Sequence, residues 1–274
     1  MIKSKTILLS LLTLLLCVSA IADANLLISP TRVAFSERDR IQTVTLINSG
    51  KTEKTYRVEW TEQKVNPEGQ YQELSEDEYQ NFPIASPFLR YTPRQVTLAP
   101  GEKQVIKVMA RRGAEMDEHE YRSHLSFTAL PNTKQAQTQV QRGGLSMQLN
   151  MLMSYSIPVI LRTSSVDATA EIEDITLEPN PNKSLNDIVV TLSRKGRTSL
   201  TGSLKAYYIP VGETEEINIG ILNGFNFFPE SERLTKTLMW AEPINLTAGT
   251  LRVAYEGTKE FSGQILAEKK VLLR

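Results

Sequence analysis

The chain has 274 residues, 41% of them hydrophobic, and its 31 basic residues are balanced by 31 acidic ones. A chain of this length can hold two domains, each with its own buried core. The even charge argues against a nucleic acid or an anionic membrane surface as the partner, and the single cysteine excludes a disulfide framework.

The first residues have the features of a secretory signal peptide. Two lysines precede an apolar block over residues 7–16, and the motif Ala-Asp-Ala at 22–24 matches the small-residue pattern of a cleavage site. Cleavage after Ala20 is the alternative. We predict that residues 1–24 are removed during export, so we exclude them from the fold. An export signal alone does not tell whether the mature protein stays in a periplasm.

From Leu26 onward, most segments alternate between apolar and polar residues, and this period of two predicts β-strands. Turn-forming residues at 49–50 and 99–101 separate neighbouring segments. The polar stretch 63–78 predicts a hairpin or a loop. The strands predicted in the first half cover residues 26–35, 43–48, 55–60, 94–98, 104–110 and 121–130.

The strand pattern restarts after residues 162–166, whose small polar side chains predict a linker. We interpret residues 220–224, which begin and end with glycine, as a turn of this second half. Short strands separated by regular turn signals are typical of β-sandwiches. The sequence therefore predicts an all-β protein with one domain at residues 25–163 and another at 164–274. The strands predicted in the second domain are 171–177, 187–192, 200–209, 215–221, 233–240, 249–255 and 263–273.

The clearest pattern in the chain is the run 145–161, in which every odd position is apolar. It predicts a long strand, since most strands run about five or six residues. A half-buried core strand is one interpretation, and a strand that completes the sheet of another protein is the other. The end of the run, residues 157–161, suits a core because both faces become apolar there. Pro158 cannot donate a ladder hydrogen bond, which predicts an edge or a bulge.

Few residues suggest catalysis or metal binding. His119 and His124 are five positions apart, and this spacing places them on opposite faces of a strand rather than on one face of a zinc-protease helix. The acidic cluster at 73–78 is typical of a solvated loop. We predict no metal site, no cofactor and no enzymatic activity. A secreted glycan-processing enzyme with a carboxylate pair is kept as an alternative.

Several short segments follow one another in an order that is characteristic of one family. They resemble the PapD-like periplasmic chaperones of chaperone–usher pilus assembly, in a divergent branch, over nearly the whole mature chain. The segments are residues 28–35 (ISPTRVAF), 48–50 (NSG), 93–101 (PRQVTLAPG), 120–127 (EYRSHLSF), 156–162 (SIPVILR), 196–202 (GRTSLTG) and 249–255 (GTLRVAY).

The resemblance implies two immunoglobulin-like sandwiches set at an angle in an L shape, with a cleft between them. It also implies a periplasmic chaperone that stabilises pilus or fimbrial subunits by donor-strand complementation and delivers them to an outer-membrane usher. The implied partners are subunits and the usher, without nucleic acid, cofactor or membrane insertion. A homodimer in which the free protein covers its own strand is left open.

The resemblance also implies site residues. Arg32 matches the family's arginine that holds the C-terminal carboxylate of the subunit. The family's second cation is a lysine, but Pro158 or Ser156 stands at that position here, so this cation stays unassigned. We expect Arg122 to pair with a nearby carboxylate and to fix its own strand. The strand inserted into the subunit is assigned to the alternating residues Leu145, Met147, Leu149, Met151 and Met153.

A surface adhesin or fibre subunit with immunoglobulin-like domains is the alternative function. Proteins of that class usually carry an N-terminal extension that they donate to a neighbour. Here strand-like sequence begins at Leu26, directly after the predicted cleavage site, which leaves almost no such extension. We therefore rank this alternative below the chaperone.

Overall fold

The computed structural model describes residues 26–113, 116–117, 120–131, 153–181 and 185–274, and this part of the chain is built almost entirely from β-strands. No helix in it is long and apolar enough to cross a membrane. In chain order the strands are β1 Leu27–Ser29, β2 Val33–Phe35, β3 Ile41–Ile47, β4 Lys54–Thr61, β5 Gln63–Val65, β6 Tyr71–Glu73, β7 Leu89–Thr92, β8 Gln95–Leu98, β9 Lys103–Ala110, β10 Glu120–Ala129, β11 Ser154–Arg162, β12 Thr169–Glu178, β13 Asp187–Lys195, β14 Leu200–Pro210, β15 Ile217–Phe227, β16 Arg233–Trp240, β17 Gly249–Gly257 and β18 Ile265–Leu273.

The first domain, strands β1 to β11, contains two sheets with the orders β1-β3-β9-β7 and β2-β11-β10-β4-β8. Alternate side chains of both sheets point inward and form one core, in which Leu46 and Ile106 of the first sheet and Val58 and Phe127 of the second are almost fully buried. Two sheets packed over a common core form an immunoglobulin-like sandwich. Strands β5 and β6 form a separate hairpin, as the polar stretch 63–78 predicts.

The predicted strand 26–35 is two short strands that belong to different sheets. Strand β1 pairs antiparallel with β3, whereas β2 pairs parallel with β11, and the chain crosses between the sheets around the cis peptide bond Ser29-Pro30. Arg32 directly precedes β2, whose first residue pairs with Val159, so this crossover places Arg32 beside Pro158 of β11.

Strand β11 is paired along one edge and only partly along the other. Strand β10 pairs with all of it, whereas β2 covers only residues 159–161. Within the described residues, no strand pairs with the outer edge of β11 at 154–158. Pro158 lies at the end of this open edge, which agrees with the predicted position. The predicted core residues Ile157, Val159 and Leu161 are buried.

The second domain contains seven strands in the order β12-β13-β16-β15-β14-β17-β18. Strands β15 and β16 are joined by two residue pairs only, Gly220–Trp240 and Ile221–Met239, so the domain consists of a three-strand half and a four-strand half. The end strands β12 and β18 lie against each other, and the Lys269 ammonium donates a hydrogen bond to the carbonyl of Glu173. Both halves contribute to one apolar core.

Two predictions about local structure are wrong. Residues 220–224 lie inside β15 and form no turn between strands. The register of β15 shifts against β14 in this region, and Gly224 has a φ of +67°, so the glycine serves a bulge. Arg162 is likewise no linker residue, because it ends β11 and is buried.

Candidate functional site

Arg32 is buried between the two domains. Its side chain is 4% exposed, and its guanidinium donates to Glu260 Oε1 at 2.7 Å and to Ser199 Oγ at 2.8 Å. Both partners belong to the second domain. Arg32 is therefore a buried interdomain residue and not an ordinary surface charge.

Arg162 reaches the same two residues from the end of β11. Its Nε donates to Glu120 Oε2 at 2.9 Å, its NH2 donates to the carbonyl of Ser199 at 3.2 Å, and its NH1 lies 3.1 Å from Glu260 Oε1. Glu120 Oε2 also accepts a hydrogen bond from the backbone N–H of Ser199 at 2.9 Å. Arg32 and Arg162 thus converge on one carboxylate and one serine. Arg162 was not predicted as a site residue from the sequence, which placed it in a linker.

A third buried arginine, Arg194, belongs to the same group of charges. Its guanidinium donates to the carbonyl of Thr198, and Glu120 interacts with it electrostatically. Burial lowers the pKa of Arg32 and of Arg194, and the nearby glutamates partly offset this effect. We call Arg32, Arg162, Arg194, Glu120 and Glu260 the interdomain arginine cluster.

A second interdomain contact is formed by Arg122. The prediction that Arg122 pairs with a carboxylate is confirmed. The partner is Glu230 of the second domain, so the pair joins the two domains and does not serve only to fix Arg122's own strand. The guanidinium also lies 3.8 Å from the centroid of the Phe228 ring, within the range of a cation–π interaction. A cavity of about 380 Å³ lies beside this pair, with Phe82 and Pro229 among its lining residues.

The β5-β6 hairpin adds further contacts to the second domain. The backbone N–H of Val65 donates to Glu230 Oε1 at 3.0 Å, and the Lys236 ammonium donates to the carbonyl of Gly69 at 3.1 Å. Tyr71 packs edge-on against Phe228 and against the buried ring of His124. The hairpin therefore links the first domain to the Phe228–Glu230 side of the second.

His124 is not placed as a metal ligand. Its ring is buried against Tyr71, and burial lowers its pKa from 6.5 to about 3. His119 lies outside the described residues. Across the described ranges, no group of three or more histidine, cysteine, aspartate or glutamate residues could hold a metal ion.

One of the five residues predicted to enter a subunit belongs to the described part of the chain. Met153 is 49% exposed, and its backbone carbonyl accepts a hydrogen bond from the N–H of Ala129 at 3.0 Å, so the pairing with β10 reaches past the start of β11. The other four, Leu145, Met147, Leu149 and Met151, lie outside the described residues. The exposed apolar side chain of Met153 thus lies directly before the open edge of β11.

A protein-family model identifies the family that the fold and the sequence motifs suggest for this chain. The model described as "Pili and flagellar-assembly chaperone, PapD N-terminal domain" matches residues 25–167. The chain belongs to this family. It is therefore a pilus-assembly chaperone by family, with an immunoglobulin-like fold. No curated protein sequence matches the chain.

Solved structures with a similar course of the chain include several pilus chaperones. The CupB2 chaperone of Pseudomonas aeruginosa is 14% identical, with 90% of this chain and 100% of that chain covered and a TM-score of 0.46. The CsuC–CsuE chaperone–tip subunit complex of Acinetobacter baumannii is 12% identical, with coverages of 91% and 98% and a TM-score of 0.43. The SafB chaperone in complex with the SafA pilin of Salmonella enterica is 12% identical, with coverages of 90% and 96% and a TM-score of 0.43.

Proposed function

We propose that this family member is a periplasmic chaperone that stabilises pilus subunits by lending them a strand and then delivers them to an outer-membrane usher. The observation that carries the proposal is the open outer edge of β11 at 154–158, which continues into the alternating run that begins at Leu145. An unpaired edge with a spare apolar row is what a strand needs in order to join another protein's sheet.

The proposed contact has two sources of free energy. Main-chain hydrogen bonds along the edge would pair the backbone of the subunit, and apolar side chains of the run would fill its open groove. Each fully buried side chain of this kind stabilises by about 1.5–3 kcal/mol, although association and ordering offset much of the total. Methionines adapt to irregular pockets, which suits more than one subunit. The side chains that we assign to the groove are Leu145, Met147, Leu149, Met151 and Met153.

Arg32 is the proposed anchor for the C-terminal carboxylate of the subunit. It directly precedes β2, which pairs with β11 at Val159, so it lies beside the end of the open edge. A carboxylate that loses part of its hydration needs a charged hydrogen-bond donor, and a buried guanidinium provides one. Pairing along β11 would bring the end of a subunit strand towards this point.

The test is the recovery of a co-expressed subunit. A small β-rich secreted protein encoded beside this gene would be tagged and purified with wild-type chaperone or with Leu149→Glu. We expect the variant to recover at least tenfold less subunit, because a charge in an apolar groove costs more than the 1.4 kcal/mol that corresponds to a tenfold change.

The matched control is Leu272→Glu, since Leu272 is 77% exposed in the second domain. It should recover the subunit normally, and both variants should unfold at the wild-type temperature. Normal recovery with Leu149→Glu would argue strongly against the proposal. Cell fractionation tests the periplasmic location, and loss of the complex in cells that overproduce the neighbouring usher tests delivery.

A further inference from the structure

The β5-β6 hairpin lies on the outer face of the sheet that contains the open edge of β11. Side chains alternate along a strand, and Ile157 points into the core, so Ser156 points to the outer face, as His124 of β10 does. Gln63 Oε1 accepts a hydrogen bond from the Ser156 hydroxyl at 3.3 Å. The Tyr71 ring packs edge-on against the His124 ring, and their centroids are 5.2 Å apart. The hairpin therefore covers β10 and reaches a side chain of the open edge.

Contacts with the second domain fix the hairpin in this position. At its tip, the carbonyl of Gly69 accepts a hydrogen bond from the Lys236 ammonium at 3.1 Å. The approach is so close that a methyl group on Gly69 would collide with this ammonium. Nearer the base of the hairpin, the backbone N–H of Val65 donates to Glu230 Oε1 at 3.0 Å. A hairpin that is held from both sides presents its exposed side chains in one position, which lowers the cost of ordering them on binding.

Tyr71 offers an exposed aromatic surface on this fixed hairpin. Its ring is packed against His124 and Phe228, yet the residue is 51% exposed. Aromatic side chains bring a large apolar area to a contact, and the phenol adds a hydrogen-bonding group. Gln63 and Ser156 add an amide and a hydroxyl beside the open edge. All three side chains are uncharged, so they favour neutral side chains of a partner over charged ones.

We propose that the β5-β6 hairpin is a second contact for the client, in which Tyr71 and Gln63 bind neutral side chains of the subunit strand that pairs with β11. The inference rests on the proposed function, since it concerns the outward-facing side chains of that strand. Neighbouring strands lie about 4.8 Å apart, so these side chains would stand directly beside Ser156, which Gln63 already contacts. An apolar or aromatic side chain gains contact with the Tyr71 ring, whereas a charged one loses water there. The hairpin thereby distinguishes among subunits.

Competition between two chaperones for one subunit tests this contact. Wild type and a variant would carry different tags and be co-expressed with a limiting amount of the subunit named above. The ratio of the two chaperones in the purified complex would be divided by their ratio in the cell extract. We expect Tyr71→Ala to be recovered less than wild type by about threefold or more, because the aromatic contact is lost. Tyr71→Phe keeps the ring and should restore most of this loss. Equal recovery of Tyr71→Ala and wild type would overturn the proposal.

The matched control variant is Tyr79→Ala, which removes another partly exposed tyrosine, 38% exposed, that follows the short 3-10 turn Glu76–Glu78. It should compete for the subunit like wild type. A loss in Tyr79→Ala as large as that in Tyr71→Ala would mean that any exposed tyrosine has this effect, and it would overturn the role of the hairpin.

Photo-crosslinking covers the case in which Tyr71→Ala does not fold. A chain with p-benzoylphenylalanine in place of Tyr71 keeps an aromatic group there and should crosslink to a neutral residue of the subunit, which mass spectrometry identifies. The same group in place of Met153 is the positive control, and in place of Leu272 the negative one. A crosslink from position 153 but none from position 71 would overturn this inference alone. A crosslink from neither would contradict the proposed function as well, and one to a charged residue would overturn the predicted chemistry of the client.

Discussion

His124 shows how one buried side chain makes the stability of the protein depend on pH. The unfolded chain binds a proton at the ring near pH 6.5, whereas burial lowers the pKa in the folded state to about 3. Arg122, which lies close by, acts in the same direction. Between pH 3 and pH 6.5, the unfolded chain therefore binds this proton, whereas the folded protein does not. The stability of the neutral form is fully present above pH 6.5 and declines as the pH falls towards 3.

We expect the free energy of unfolding to fall by about 1.4 kcal/mol per pH unit in this window because of His124 alone. From pH 7 to pH 5, the wild type should therefore lose about 2 kcal/mol more than His124→Leu, which does not titrate. Urea denaturation at both pH values measures the difference. The same pH dependence of stability in the two proteins would show that folding does not lower the pKa of His124.

At the scale of residues, the sequence could identify Arg32 but not Arg162. Arg32 belongs to a recognisable motif, so the resemblance assigned it a role. Arg162 follows an apolar strand and precedes small polar residues, which is also the pattern of a strand that ends in a linker. Its contacts include Ser199 and Glu260, which are distant in the chain and belong to the second domain, so local sequence does not reveal them.

The C-terminal end of strand β11 is buried, whereas the residue before its N-terminal end is exposed. Stability measurements should distinguish the two ends. Leu161 is fully buried in the core of the first domain, so Leu161→Ala should lower the free energy of unfolding by about 2–5 kcal/mol. Met153 is 49% exposed, so Met153→Ala should change it by less than about 0.5 kcal/mol. Chemical denaturation of both variants measures these values, and a large loss in Met153→Ala would place that residue in the protein's own core.

At the scale of elements, alternation located most strands, because one face of each sheet is buried. It failed where the chain departs from regular pairing. Strand β7, Leu89–Thr92, was not predicted, since it lies between prolines and ends at the cis peptide bond Thr92-Pro93. The end of β15 was missed because its glycines produce a bulge that resembles a turn in the sequence. Register shifts depend on the neighbouring strand, which local sequence does not contain.

The two domains are joined at two separate places, and the Arg122–Glu230 pair should couple their stabilities. Arg122 is 3% exposed, so Glu230→Gln would leave a buried charge without its partner. We expect this variant to lose about 3–5 kcal/mol of unfolding free energy. Arg122→Met combined with Glu230→Gln should lose less than the two single variants added together, because the unpaired charge is removed.

Urea denaturation of Glu230→Gln, Arg122→Met and the double variant, compared with the wild type, gives the four unfolding free energies of this double-mutant cycle. The ion pair Arg57–Glu59, which lies on the surface of one strand, is the matched control, and its variants should change stability by less than about 1 kcal/mol. Strictly additive losses at Arg122 and Glu230 would mean that the pair contributes nothing to domain docking.

At the scale of the whole molecule, the sequence predicted two β domains but not the contacts between them. Interdomain pairs such as Arg122–Glu230 join residues 108 positions apart, and the hairpin contacts of Val65 with Glu230 span 165 positions. The hydrophobic periodicity of the sequence does not reveal such pairs, because they depend on how the surfaces of the two folded domains pack together. The predicted domain limits, 25–163 and 164–274, stay predictions.

Pro158 has a consequence for the length of any strand that joins β11. It lacks an N–H group, and β2 occupies the edge from Val159 onward. A strand of another protein that pairs with this edge must therefore end at Pro158, and this limit fixes the register of the pairing. Subunits with grooves of different length would all have the same end of the paired strand at Pro158.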